Sequence, residues 1–114
     1  MRVLLPFCAL ALASLPGMAV GQGFTGSWGC VNEVGRAGIL TIYGGNYGYA
    51  SATYGSTASG TGTITGYTDG VQFNDGALRA NAGIVAGRII EDPVNGTAMQ
   101  LETESAVILL CTPL

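Results

Sequence analysis

The fold is decided by residues 38–54, which read GILTIYGGNYGYASATY. Apolar and polar residues alternate on both sides of Gly44-Gly45-Asn46, a cluster of the kind that forms tight turns. Alternation with a period of two is typical of a half-buried β-strand, and two such strands joined by a short turn form an antiparallel hairpin. The stretch therefore predicts two neighbouring strands, Gly38–Tyr43 and Tyr47–Tyr54.

The same pattern recurs along the rest of the chain, where short β-type segments are separated by Gly, Asn, Asp or Pro. No stretch keeps a 3.6-residue period for more than two turns, so we predict an all-β protein. Because strands joined by tight turns pair as hairpins, we expect a small antiparallel up-and-down β-barrel or flattened sandwich of eight or nine short strands. The candidate strands are Phe24–Val31, Gly38–Tyr43, Tyr47–Tyr54, Gly60–Tyr67, Val71–Asn74, Ala77–Ala80, Gly83–Glu91, Thr97–Glu102 and Ala106–Thr112.

Residues 1–21 have the features of an export signal. Arg2 gives a short positive start, an apolar run of about 13 residues follows, and small residues allow cleavage after Ala19 or Gly21. The run is too short for a transmembrane helix, which needs about 20 residues, and no second candidate follows it. We therefore predict a single domain over residues 22–114 with no membrane span. The absence of Lys beside many Gly and Ala favours a bacterial source, and hence a periplasmic or secreted protein.

The cysteines predict one disulfide bond. Cys8 lies in the predicted signal, which leaves Cys30 and Cys111 as the only pair in an exported chain. Alternation in the first strand puts Cys30 on the same face as Trp28, so we expect its side chain to point inward. The last strand, Ala106–Thr112, is apolar on both faces and would be prone to aggregate as an open edge. We predict that it pairs with the first strand and that the disulfide closes the sheet.

The composition excludes several classes of function. The chain has seven acidic residues against four Arg, no Lys and no His, a net charge of −3, so it lacks the basic surface that nucleic-acid binding requires. Without His or Lys, and with both remaining cysteines paired, the usual general bases and nucleophiles are missing, so we predict no enzymatic activity and no cofactor. Four acids flank one predicted turn, but their spacing is not that of a calcium-binding loop, so we predict no metal site.

Gly26-Ser27-Trp28 starts the first strand with the pattern Gly-x-Trp. In a small exported barrel, this pattern and the strand count resemble the calycins, which are the lipocalins, the avidins and the small bacterial metalloprotease inhibitors. The resemblance implies that Trp28 plugs one end of a barrel whose mouth binds a small apolar ligand or whose rim binds a protease. The last strand has no basic residue to pack across Trp28, so that part of the calycin pattern is missing. The alternative is that Trp28 is the main core aromatic of an unrelated β domain.

Tyr43, Tyr47 and Tyr49 form a second candidate site. All three are odd-numbered, and on a hairpin centred at Gly45 we expect them on or near one outward face. Exposed tyrosines combine apolar area with a hydroxyl and suit the recognition of a sugar or a protein. The alternative is an ordinary solvent-exposed face with cross-strand pairing.

Small residues recur on the predicted inward side of several strands of this chain, which has 19 Gly. They either let two sheets approach closely or leave a cavity. We predict a non-catalytic binding module that takes a small apolar ligand or a protein partner at the barrel mouth near Trp28 or on the tyrosine face. Inhibition of an exported protease and surface adhesion are the alternative functions. The small inward residues in this prediction are Gly48, Ala50, Ala52, Gly62, Gly66 and Ala86.

Overall fold

The computed structural model describes residues 24–114, in which eight strands and one short helix form a closed barrel. The predicted signal sequence lies outside the described residues. The elements are β1 (Gly26–Val31), β2 (Arg36–Tyr43), β3 (Asn46–Ser51), β4 (Gly60–Tyr67), β5 (Gly70–Phe73), α1 (Ala77–Ala82), β6 (Ala86–Asp92), β7 (Gly96–Glu102) and β8 (Val107–Pro113).

The strands follow one another around the barrel in chain order. Each pairs antiparallel with the next, and β8 pairs antiparallel with β1 to close the ring. The all-β, antiparallel, up-and-down prediction is confirmed, and the barrel alternative is correct. Because every strand has two neighbours, the described sheet has no open edge at which another chain could add a strand.

The closing seam lies between β1 and β8. Cys30 is directly opposite Cys111 in the register, and the two sulfur atoms form a disulfide with an S–S distance of 2.02 Å. Both cysteines are fully buried. The predicted disulfide and the predicted pairing of first and last strands are therefore confirmed. Such a bond is compatible with an extracellular or periplasmic location.

The segment Ala77–Ala80, predicted as a strand, is part of helix α1, and the strand count is eight. Ala, Leu and Arg favour the helix. Gly76 and Gly83 flank it with φ values of 92° and 73°, which interrupt β-geometry on both sides. Leu78 is fully buried in the barrel core. The prediction was wrong because the pattern of a four-residue segment does not distinguish a strand from a single helical turn.

The barrel interior is filled by the protein's own side chains. Inward glycines make room for the two inward tyrosines: a Cβ at Gly38 would lie 2.5 Å from the Tyr49 hydroxyl oxygen, and one at Gly62 would lie 2.6 Å from Tyr47 Cε1. The largest fully buried side chains are those of Tyr47, Phe73, Leu40, Ile42, Leu78, Ile84, Met99 and Leu101. Of the predicted small inward residues, Gly62 is therefore explained by close packing, whereas Ala52 and Gly66 are exposed.

Two small residues of β3 face the opposite way from the prediction. Tyr47 and Tyr49 occupy the buried positions of this strand, so Gly48 is only half-buried and Ala50 is exposed on the outer wall. Successive side chains of a strand point to opposite faces, and the inward turn of the tyrosines therefore dictates the outward turn of their neighbours.

Candidate functional site

Trp28, the first predicted site residue, is a core side chain. Only 5% of it is exposed, and its indole N–H donates a hydrogen bond to the carbonyl of Phe24 at 3.1 Å. Phe24 is also buried and belongs to the same apolar cluster. The indole is thus packed and its polar atom is satisfied within the chain. That a ligand contacts Trp28 stays a prediction.

The three tyrosines of the second predicted site do not share a face. Tyr43 is 47% exposed, whereas Tyr47 is fully buried and Tyr49 is 6% exposed. The β2–β3 register pairs Tyr43 with Asn46 and Ile42 with Tyr47. A two-residue turn pairs odd-numbered positions of one strand with even-numbered positions of the other, so odd numbers face outward on β2 and inward on β3. The predicted common outward face is therefore wrong for Tyr47 and Tyr49.

The hydroxyl and the ring of Tyr47 both contact other residues of the chain. Its hydroxyl donates to the Asp75 carbonyl at 2.9 Å and accepts the backbone N–H of Leu78 at 3.1 Å. Its ring packs edge-on against Phe73 with the centroids 5.0 Å apart. Burial raises the pKa of the Tyr47 hydroxyl above its usual value, against the lowering effect of the Leu78 N–H, and burial also raises the pKa of Tyr49. Both hydroxyls are therefore neutral at physiological pH and fixed in the core.

A concave site lies on the outer wall, along the seam between β5 and β6. This β5–β6 cleft has a volume of about 500 Å³. That volume falls within the range of roughly 300–1,000 Å³ that is usual for small-ligand sites. Its larger lining side chains are those of Tyr67, Asp69, Gln72, Arg79, Arg88 and Glu102.

The cleft follows from small residues on the seam. β5 has four residues and pairs with β6 at three positions, among them Gly70 with Arg88 and Gln72 with Ala86. The backbones are so close that a Cβ at Gly70 would collide with the carbonyl oxygen of Gly87. Gly70, Ala86 and Gly87 therefore form a low floor between taller side chains. Ala86 belongs to this outer cleft, not to the interior where it was predicted.

Charge is concentrated in the cleft. The described residues contain three cationic side chains, and two of them, Arg79 and Arg88, line it. Arg88 Nη2 forms an ion pair with Glu102 Oε2 at 2.9 Å. Arg79 Nη1 instead donates to the backbone carbonyl of Phe73 at 2.8 Å. The guanidinium of Arg79 is thereby held in place without a carboxylate partner among residues 24–114.

Tyr67 contributes an aromatic wall to the cleft. About half of its side chain is exposed, and its hydroxyl donates to Gln72 Oε1 at 3.3 Å. Arg79 also borders a second, smaller depression of about 370 Å³, next to Gly83 and Thr103. One half-buried guanidinium therefore lies between two adjoining hollows of the surface.

Sequence reasoning missed Tyr67, Arg79 and Arg88 as site residues. Cationic residues are scarce, because residues 24–114 contain three Arg and no Lys. Two of these Arg lie only nine positions apart, and this local enrichment could have indicated a site. The sequence alone did not place them in one cleft, because Arg79 comes from α1, a helix that was predicted as a strand.

Comparison with known proteins gives no relative. No protein-family model matches the chain, and neither a curated protein nor a solved structure is significantly similar to it. No helix within residues 24–114 is long and apolar enough to cross a membrane. The described residues also contain no group of three or more Cys, Asp or Glu side chains arranged to hold a metal ion.

Proposed function

We propose that the chain is an exported, non-catalytic binding module that takes its ligand or protein partner on the outer wall of the barrel, in the β5–β6 cleft. The contrast between a filled interior and an open cleft of about 500 Å³ carries this proposal. A ligand in the barrel would have to displace buried side chains such as Tyr47 and Phe73, whose rings pack edge-on with the centroids 5.0 Å apart. The cleft needs no such rearrangement.

The lining of the cleft alters the kind of ligand expected. The walls of the cleft are polar and surround a small apolar floor. The charged residues of these walls are Arg79, Arg88, Asp69 and Glu102. Ligand sites commonly combine apolar contact area with a few convergent polar groups that fix orientation. A ligand with charged or hydrogen-bonding groups therefore suits the cleft better than the purely apolar ligand predicted for a barrel mouth.

Two features of the sequence and one of the structure support export and a non-catalytic role. Residues 1–21 have the composition of a signal sequence, and the Cys30–Cys111 disulfide suits an oxidising compartment. The chain has no His and no Lys to serve as a general base or an activated nucleophile. The proposal therefore places a binding protein in the periplasm or outside the cell.

The test is a screen of polar fragments, carboxylates, amines and zwitterions included, against the ¹⁵N-labelled protein by NMR. We expect fragments to shift the amide signals of Gly70 and Gly87, on the cleft floor. Ala86→Trp should fill the cleft and abolish these shifts. Ala50→Trp, the same change on the exposed outer wall of β3, should leave them intact. The proposal would be contradicted if fragments bound both variants equally, or if no fragment bound the cleft.

A further inference from the structure

Two charged residues of the β5–β6 cleft, Asp69 and Arg79, lie at opposite ends of β5 and outside the Arg88–Glu102 ion pair. Asp69 immediately precedes β5, and its carbonyl accepts the N–H of Ile89 at 2.7 Å, which fixes it at the beginning of the seam. Arg79 donates to the carbonyl of Phe73, the last residue of β5, at 2.8 Å. Asp69 and Arg79 therefore border one cleft from opposite ends of the same strand.

The separation of the two ends follows from strand geometry. Asp69 and Phe73 are four residues apart, which corresponds to about 13 Å at a rise of about 3.3 Å per residue. A hydrogen-bond distance of about 3 Å at each end leaves about 7 Å for a ligand, and the reach of the two flexible side chains can extend this. Two or three residues of extended peptide have this length.

The charges at both ends are available to a ligand. The only ion pair within residues 24–114 is that of Arg88 with Glu102, so neither Arg79 nor Asp69 forms one. The cleft as a whole contains two cations and two anions. A simple anion would face both Asp69 and Glu102, whereas a molecule with one charge of each sign, suitably spaced, meets complementary charge at both ends.

We propose that the cleft binds a dipeptide or tripeptide with free termini, its carboxylate on Arg79 and its amino group on Asp69. This inference rests on the proposed function, which makes the cleft the binding site. The guanidinium can form paired hydrogen bonds to a carboxylate, and the aspartate accepts from an ammonium group. Val85 and Ala86 supply apolar contact for the peptide between its ends.

The test is a titration of the ¹⁵N-labelled protein with dialanine and trialanine, followed by the amide shifts of the cleft. N-acetylation and C-amidation of the better peptide should each weaken binding by about tenfold or more, because each removes one charge-assisted contact. In Arg79→Gln the free and the C-amidated peptides should bind equally. In Asp69→Asn the free and the N-acetylated peptides should bind equally. Arg36→Gln and Glu33→Gln, at the β1–β2 turn, are the matched controls and should behave like the unaltered protein.

The outcomes separate this inference from the proposed function. Other fragments could bind the cleft and lose this binding in Ala86→Trp, while capped and free peptides bind alike or not at all. That result would overturn the peptide assignment and leave the proposed function standing. If nothing binds the cleft, both fall. The comparison of capped and free peptides on the unaltered protein needs no substitution, so instability of Arg79→Gln cannot obscure the result.

Discussion

At the scale of single residues, Tyr47 links the strands of the barrel to the helix. It is fully buried in β3, and its hydroxyl joins the segment before α1 to the first turn of that helix through Asp75 and Leu78. A buried hydroxyl with both a donor and an acceptor partner avoids the free-energy cost of desolvation. Tyr47 thereby holds α1 against the strands.

Tyr47→Phe should lower the free energy of unfolding by about 1–3 kcal/mol without changing the fold. The substitution keeps the ring but leaves the Leu78 N–H and the Asp75 carbonyl without their partner. Urea denaturation followed by circular dichroism measures the change. Tyr43→Phe, on the exposed side of the same hairpin, is the control and should have little effect. Equal stabilities for the two variants would show that the hydroxyl of Tyr47 contributes nothing.

The buried tyrosines also make the free energy of unfolding depend on pH in the alkaline range. Burial raises the pKa values of Tyr47 and Tyr49 above their ordinary value of 10.0. The unfolded chain therefore loses these protons at lower pH than the folded protein, and raising the pH favours unfolding. We expect this contribution to be complete below about pH 10 and to be lost as the pH rises from there through the folded pKa values. Urea titrations between pH 8 and 11.5 measure it, and Tyr49→Phe should reduce the slope above pH 10. A stability that rises over this interval would contradict the assignment.

At the scale of elements, the contact of β3 and β4 with the segment leading into α1 depends on glycine. Gly62 of β4 is paired with Tyr47, and a Cβ there would lie 2.5 Å from the Asp75 carbonyl oxygen and 2.8 Å from the Gly76 Cα. Backbone atoms cannot yield as the end of a flexible side chain can. The missing side chain at Gly62 therefore lets the β5–α1 connection approach the inner face of β4 closely.

Gly62→Ala should destabilise the protein by about 1–3 kcal/mol, because the added methyl group forces the backbone near Gly76 to move. Gly48→Ala is the matched control on the neighbouring strand. Its Cβ would point outward and meet only Thr61 Cγ2, at 3.9 Å. It should be neutral, or stabilising by up to about 1 kcal/mol through the unfolded chain. Thermal melts of both variants give the comparison, and similar losses in both would refute the close approach.

At the scale of the whole molecule, closure of the barrel depends on the seam between β1 and β8. Four residue pairs form this seam, and one of them is the buried disulfide. The bond joins residues 81 positions apart, so it constrains most of the described chain in the unfolded state. A domain of this size has a net stability of only about 5–15 kcal/mol, and the disulfide is therefore a large part of it.

Replacing both cysteines by Ala should lower the free energy of unfolding by about 4 kcal/mol, as the loop-closure model gives for a loop of this length. For a domain of this size the corresponding drop in Tm is roughly 15–30 °C. Scanning calorimetry of the double variant, Cys30→Ala with Cys111→Ala, beside the oxidised protein measures it. An unchanged Tm would mean that strand pairing alone closes the barrel.

Much of this architecture was predictable because it depends on local pattern. Alternation located the eight strands to within a few residues, and the inward position of Cys30 together with the position of Cys111 gave both the disulfide and the closing pair. The candidate site was less predictable. Arg79 and Asp69 are ten positions apart in the sequence, and only the short β5 and the helix after it bring them to one cleft.

The sequence by itself determined an antiparallel all-β fold with one disulfide between its first and last strands, because alternation, turn residues and a single cysteine pair act locally or allow one solution. It left a barrel and a flattened sandwich as alternatives, and the pairing of all eight strands decided for the barrel. Tertiary structure alone decided the rest. The two-residue β2–β3 turn sent Tyr47 and Tyr49 inward, since turn length sets which positions face each other across a hairpin. The tertiary structure also decided that the inward glycines accommodate these rings. The atoms that fill the space beside each glycine come from residues distant in the sequence. The outer wall is therefore the surface that we propose for binding, where Asp69 and Arg79 border one cleft from opposite ends of β5.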